Sequence, residues 1–173
     1  MVRDAPERWT DLEATIDVDA SVSHVWDVVS DVRRMSQWSP QVEASALRAG
    51  VERMGLGAKF VSSNSHGPLR WQTHGEVVRY SPEDEMAFRI EENWVVWSFR
   101  VEPTGSGGTR LIQRRETPDG ISPLSLELTE TYFGGQEAFS RFMLAGMRQT
   151  LRGIKATAEA GSDAARKTNS WED

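Results

Sequence analysis

The sequence predicts an α+β domain: a curved antiparallel sheet of about seven strands wrapped around a long C-terminal helix, with two short helices between the first two strands. Two observations predict it. From about Gly135 to Ala160, placed at 3.6 residues per turn, Phe139, Phe142, Met143, Gly146, Met147, Thr150, Leu151, Ile154 and Ala158 share one side. Glu137, Arg141, Arg148, Arg152, Lys155 and Glu159 share the other, as expected of a helix laid on a core. Residues 41–117 read as strand after strand joined by short turns, which only antiparallel pairing allows. A twisted sheet of that size curls, and wrapping the final helix is the simplest way to bury its concave face.

In chain order, residues 1–9 are polar and expected to be flexible. Thr10 to Val18 alternates as a half-buried strand, Leu12, Ala14, Ile16 and Val18 on one face. Asp19-Ala20-Ser21 reads as a helix start, continued by Val22, Val25, Trp26, Val28 and Val29. A second short helix is expected over Val32 to Trp38, closed by Ser39-Pro40 because proline biases the preceding residue away from the helical region. Strands follow at Val42 to Arg48, Ala58 to Ser65 and Leu69 to Tyr80, around Met86 to Ile90, at Val95 to Val101 and at Thr109 to Thr117. The turns between them carry Gly, Pro and acidic residues, as in Gly55-Leu56-Gly57, His66-Gly67-Pro68 and Ser81-Pro82-Glu83-Asp84. Pro118 to Gly134 is expected to be a long irregular connection, a kind often functional in compact domains. In the long helix, Gly135 serves as N-cap and Gly161 as stop. The expected division is a flexible start (1–9), one domain (10–160) and a flexible tail (161–173).

Composition narrows the function classes. At 173 residues the chain fits one domain that needs no disulfide or metal for stability. The absence of cysteine excludes disulfides, thiolate metal sites and a cysteine nucleophile. A net charge of −6 argues against nucleic acid as a partner. There is no apolar N-terminal run and no stretch near the roughly 18 apolar residues of a membrane span, so a cytoplasmic location is expected. His24, His66 and His74 have no metal-ligand spacing, and no metal or cofactor is expected. No Ser-His-Asp order, nucleophile elbow or phosphate-binding loop is present, and no catalytic residue is assigned.

Four pieces, in this order and spacing, carry a family resemblance. They are Ile16-Asp17-Val18-Asp19-Ala20-Ser21 leading into Val25 to Asp31, Arg34-Met35-Ser36-Gln37-Trp38-Ser39-Pro40, Gly55 to Phe60 with Asn64 and Gly67 beyond, and Trp97 to Pro103 before a glycine-rich hairpin and Thr109-Arg110-Leu111. Over about residues 10–160 the chain resembles the START-like, or SRPBCC, helix-grip superfamily of polyketide cyclases/dehydrases and lipid-transport proteins. The resemblance implies a cavity between sheet and last helix that holds an apolar molecule such as a lipid or polyketide. It also implies a mouth near the second short helix and the loop before the long one.

Strand and helix phases then give the expected wall. Asn64, Trp71, Thr73, Trp97, Phe99, Gln113 and Arg115 face the helix, Phe139, Met143, Met147 and Thr150 answer from it, and Trp38 sits near the mouth. An inward arginine is costly unless paired or solvated, so Arg115 needs an acidic partner, water or a ligand anion. If the strand is one residue out of phase, Arg114 points inward instead. His74 lies on the opposite phase to Trp71 and Thr73 and is expected at the surface. The expected function is binding or carriage of a small hydrophobic ligand. The alternative is a cyclase, aromatase or dehydratase, which positions a flexible chain and shifts protons with one or two polar residues; Arg115, Gln113, Asn64 and Thr73 are the residues to test. Protein partners are left open.

Overall fold

The structure, a computed structural model, describes residues 11–169, so the expected flexible start (1–9) and the last four residues lie outside the described part. The strands are β1 (Leu12–Val18), β2 (Val42–Leu47), β3 (Lys59–His66), β4 (Leu69–Ser81), β5 (Glu85–Ile90), β6 (Val96–Pro103) and β7 (Thr109–Glu116). The helices are α1 (Val22–Val29), α2 (Pro123–Phe133) and α3 (Gln136–Asn169), with a 3-10 helix at Val32–Gln37 between α1 and β2. All seven strands pair antiparallel in the order β1-β7-β6-β5-β4-β3-β2. The fold class expected from the sequence is the one observed, and the expected element order holds as far as β7. Register shifts between Val42 and Ala44 and between Val77 and Arg79 mark bulges. Such irregularities bend a strand and raise its twist, which favours a concave sheet.

The turn from β1 into α1 is tied down from three sides. Ser21 is extended and accepts the His24 amide at 3.3 Å, capping α1. Thr109 Oγ1, fully buried, donates to Ala20 O at 2.8 Å. Lys155 Nζ of α3 donates to Asp17 O at 2.7 Å, and the Asp19 amide donates to Glu159 Oε1 at 2.9 Å. Lys155 and Glu159, placed by their period on the charged side, are therefore half-buried clamps between α3 and β1. The Lys155 ammonium holds the Glu159 carboxyl below its ordinary range, with the Asp19 amide adding to the effect.

Two expectations are corrected. The connection 118–134 contains α2. Ser122 caps it, Pro123 opens it and left-handed Gly134 closes it. The pattern hid it because Leu124, Leu128 and Tyr132 are exposed, so no inward stripe marks the segment. Ser122 Oγ also donates to Glu92 O at 2.6 Å while accepting the Ser125 amide at 3.2 Å, fastening α2 to the β5–β6 turn. Ser122→Ala removes both bonds and is expected to cost about 1–2 kcal/mol. Thermal unfolding checks this, and an unchanged melting temperature would count against the anchor.

The second correction is that α3 does not stop at Gly161 but continues to Asn169. At Gly161 the missing side chain leaves room for α1, since a Cβ there would lie 2.8 Å from His24 Nε2. Gly153 has the same role against Trp38, whose Cβ would be 2.6 Å from an added Cβ. Leu151, Ile154 and Ala158, next to these glycines, are fully or almost fully buried in the main core with Val25, Val29, Val32 and Trp38. The C-terminal half of α3 is thus seated on solid packing.

Candidate functional site

The N-terminal half of α3 has no such seat. Between it and the concave face of the sheet lies a cavity of about 660 Å³, flanked by α2. The strands contribute Phe60, Trp71, Phe88, Ile90 and Trp97, and the helices contribute Leu128, Tyr132, Phe133, Phe139, Phe142, Met143 and Met147. Around one side, four rings meet. Phe133 lies 5.0 Å from Phe139 and 5.8 Å from Phe142, and His66 lies 5.4 Å from Phe133 and 4.7 Å from Phe142. Contacts of this kind join the end of β3 to α2 and α3. Exposed Leu128 (45%) and Tyr132 (57%) place apolar surface at the outer edge.

Two buried polar groups on the sheet side interrupt the apolar wall. Asn64 Nδ2 donates to Thr73 Oγ1 at 3.1 Å and Ser62 O at 3.3 Å, and the Ser62 and Ser45 hydroxyls are 2.6 Å apart. This cross-strand group is satisfied internally. The pair on β7 is not. Gln113 and Arg115 are each 4% exposed and two residues apart, on one face of the strand. Gln113 Oε1 is buried with no hydrogen-bond partner among the described residues. No group among the described residues hydrogen-bonds the Arg115 guanidinium, whose carbon sits 5.6 Å from the centre of the Phe139 ring. Burial pushes its pKa down to about 10, partly opposed by the Asp11 carboxylate, so it remains a cation at neutral pH. Its neighbours are turned outward: Arg114 reaches Asp11, Glu13 and Glu116, and Glu116 is also bound by Arg79 at 2.9 Å. Among the described residues, the wall carries Arg70, Arg115 and Arg152 and no carboxylate.

A family described as polyketide cyclase / dehydrase and lipid transport matches residues 10–159. The chain belongs to this family. Its fold is similar to that of a protein from Thermus thermophilus, at 15% identity and a TM-score of 0.67 over 88% of this chain and 99% of that one. It is also similar to the di-domain ARO/CYC StfQ from the steffimycin biosynthetic pathway, at 17% identity and a TM-score of 0.68; the match spans 88% of this chain and 51% of that protein. A third is the ginseng major latex-like protein 151 from Panax ginseng, at 15% identity and a TM-score of 0.63, over 86% and 97% of the two chains. At these identities the likeness concerns the fold. No curated protein matches the sequence. No helix among the described residues is long and apolar enough to cross a membrane.

Within this family member, the structure brings Asn64, Trp71, Thr73, Trp97, Gln113, Arg115, Phe139, Met143, Met147 and Thr150 to one cavity wall. Trp38 and Phe99 are placed elsewhere. Trp38 is 6% exposed and packed against Gly153 beneath α3, with the Arg34 guanidinium 5.4 Å from its ring. Phe99, 1% exposed, has the inward phase but lies in the solid core. The face of β6 runs from hollow to core within two residues, a boundary that strand phase does not mark. Sequence reasoning misses His66, because it sits at a turn, and Leu128, Tyr132 and Phe133, because the pattern over 118–134 shows no helix. His74 lies off this wall, as its phase predicts, but is half-buried rather than exposed, with Nδ1 at 2.5 Å from Glu92 Oε1.

Proposed function

We propose that the protein binds a small, largely hydrophobic molecule in the cavity between the sheet and the N-terminal half of α3. The observation that carries this reading is the contrast along α3. Glycine contacts and a packed core hold its C-terminal half, while its N-terminal half spans about 660 Å³ of mostly apolar wall that includes eight aromatic and three methionine side chains. That volume lies in the range of small-molecule sites, which are mostly apolar with a few polar groups that orient the ligand. The family, whose description includes lipid transport, supports the same class of ligand.

A second reading is catalysis, cyclisation or dehydration of a polyketide-like chain. It is favoured by the buried, unsatisfied Gln113 and Arg115 facing the cavity and by the similarity in fold to an ARO/CYC protein. Proton shuttling at such groups needs a positioned substrate.

Binding is tested with a neutral fluorescent probe such as N-phenyl-1-naphthylamine. Trp97→Ala, which removes one large wall residue, is expected to weaken probe binding about tenfold, with far-ultraviolet circular dichroism unchanged. Unchanged affinity in the folded variant would overturn the cavity as the site. Turnover of a polyketide-type substrate, lost in folded Gln113 or Arg115 variants, would favour the second reading.

A further inference from the structure

The cavity wall has a chemistry that hydrophobicity alone does not require. A chain with 26 acidic residues and a net charge of −6 places no carboxylate in the described wall, yet places a buried arginine there. Arg115 is the exception to the pairing of its neighbours. Arg79 is bound by Glu85 and Glu116, Arg114 by Asp11, Glu13 and Glu116, and Arg70 at the rim lies 3.3 Å from Glu43. Arg152, also on the wall, is exposed. The Asp11 carboxylate, already paired with Arg114, offsets only part of the cost of burying this cation, so the protein holds a demand for an anion at this point. The Phe139 ring covers one approach to the guanidinium with a face that attracts cations but accepts no conventional hydrogen bond. Gln113, about 7 Å along the strand, makes the same end of the cavity polar and leaves an acceptor open for a ligand hydroxyl.

We infer that the ligand is an amphiphile bearing one carboxylate, its charged group seated on Arg115 and its apolar body along the Phe60, Trp71, Trp97 and Met143 walls. This deepens, and rests on, the reading of the cavity as a ligand site. A guanidinium presents parallel donors that match the two oxygens of a carboxylate. One buried cation balances a monoanion; a phosphate monoester near its full double charge would enter with charge uncompensated.

The test displaces the neutral probe from wild-type protein at pH 7.5 with dodecanoate, methyl dodecanoate, dodecan-1-ol and dodecyl phosphate. Dodecanoate is expected to displace it at roughly tenfold or more lower concentration than the ester or the alcohol, as a charge-assisted hydrogen bond in a buried site implies. Dodecyl phosphate is expected to be weaker than dodecanoate. In Arg115→Gln the gap between dodecanoate and the alcohol should close, each compared with probe binding in the same variant. Arg115→Lys should keep part of it, because the charge remains and the forked geometry does not. The wild-type series decides the point even if a variant does not fold. Probe binding with no preference for dodecanoate overturns the inference and leaves the cavity reading standing. Tighter binding of dodecyl phosphate overturns the assignment to a carboxylate. Failure of every compound, the probe included, overturns the inference and the cavity reading together.

Discussion

Gly153→Ala lowers the melting temperature by roughly 4–8 °C, a loss of about 2 kcal/mol in a domain of this size. The new Cβ would stand 2.6 Å from Trp38 Cβ and 3.3 Å from Trp38 Cα, with the backbone carbonyl oxygen of Trp38 3.9 Å away. A rotamer change cannot clear that contact. Either α3 lifts or the Trp38 backbone withdraws, and overpacking of this kind costs about 3 kcal/mol, offset by about 1 kcal/mol from the better helix propensity of alanine. Gly146→Ala on the same helix is the internal control. Its Cβ would meet Pro40 Cγ at 3.6 Å, ordinary contact, so the propensity term dominates and the melting temperature rises by roughly 2–4 °C. The same substitution thus has opposite signs at two positions of one helix. Equal rises in both variants would show that α3 does not rest on Trp38.

Arg115→Met stabilises the ligand-free protein by about 1–3 kcal/mol, within the range seen when buried charge is replaced by apolar side chains of similar size. The sign follows from the direction of the shift. The folded protein holds this guanidinium at about 10, below the range of a solvated one, so folding disfavours its charged form. The penalty is fully present below pH 10 and is relieved as pH rises from 10 towards the range of a solvated guanidinium. The stability difference between variant and wild type should therefore be constant from about pH 6 to pH 9, which thermal or denaturant unfolding measures directly. Loss of the contact with Phe139 reduces the gain without reversing it. A variant less stable than wild type would mean that the ligand-free protein already satisfies the guanidinium.

The legible parts of this molecule are those fixed by a short period. Alternation along β3, β4 and β7 puts Asn64, Trp71, Thr73, Gln113 and Arg115 on the concave side, because a period of two leaves only one alternative. That alternative for β7 is settled by pairing: Arg115 lies opposite Leu12 and Trp97, while Arg114 meets the carboxylates outside. Where the hollow ends was not legible. Trp38 and Phe99 have the right pattern and the wrong depth; for Trp38 the depth is set by the close approach of Gly153 of α3, a contact between residues far apart in sequence. Gly161 shows the same limit. As a sequence signal it ends a helix; in the fold it admits His24, and the helix runs on. In α2, Leu124, Leu128 and Tyr132 stay exposed and Phe133 is only half-buried, so the buried stripe that usually reveals a helix is missing.

The two halves of α3 carry different burdens, and this bears on how the protein can change over generations. Replacing Leu151, Ile154 or Ala158 disturbs a filled interior, and selection against unfolding restrains such changes. Phe139, Phe142 and Met143 border space that is already open, so reshaping them leaves less new void and spares most of the scaffold. One helix thereby separates what keeps the chain folded from what shapes the cavity, and a lineage can drift in the second while conserving the first.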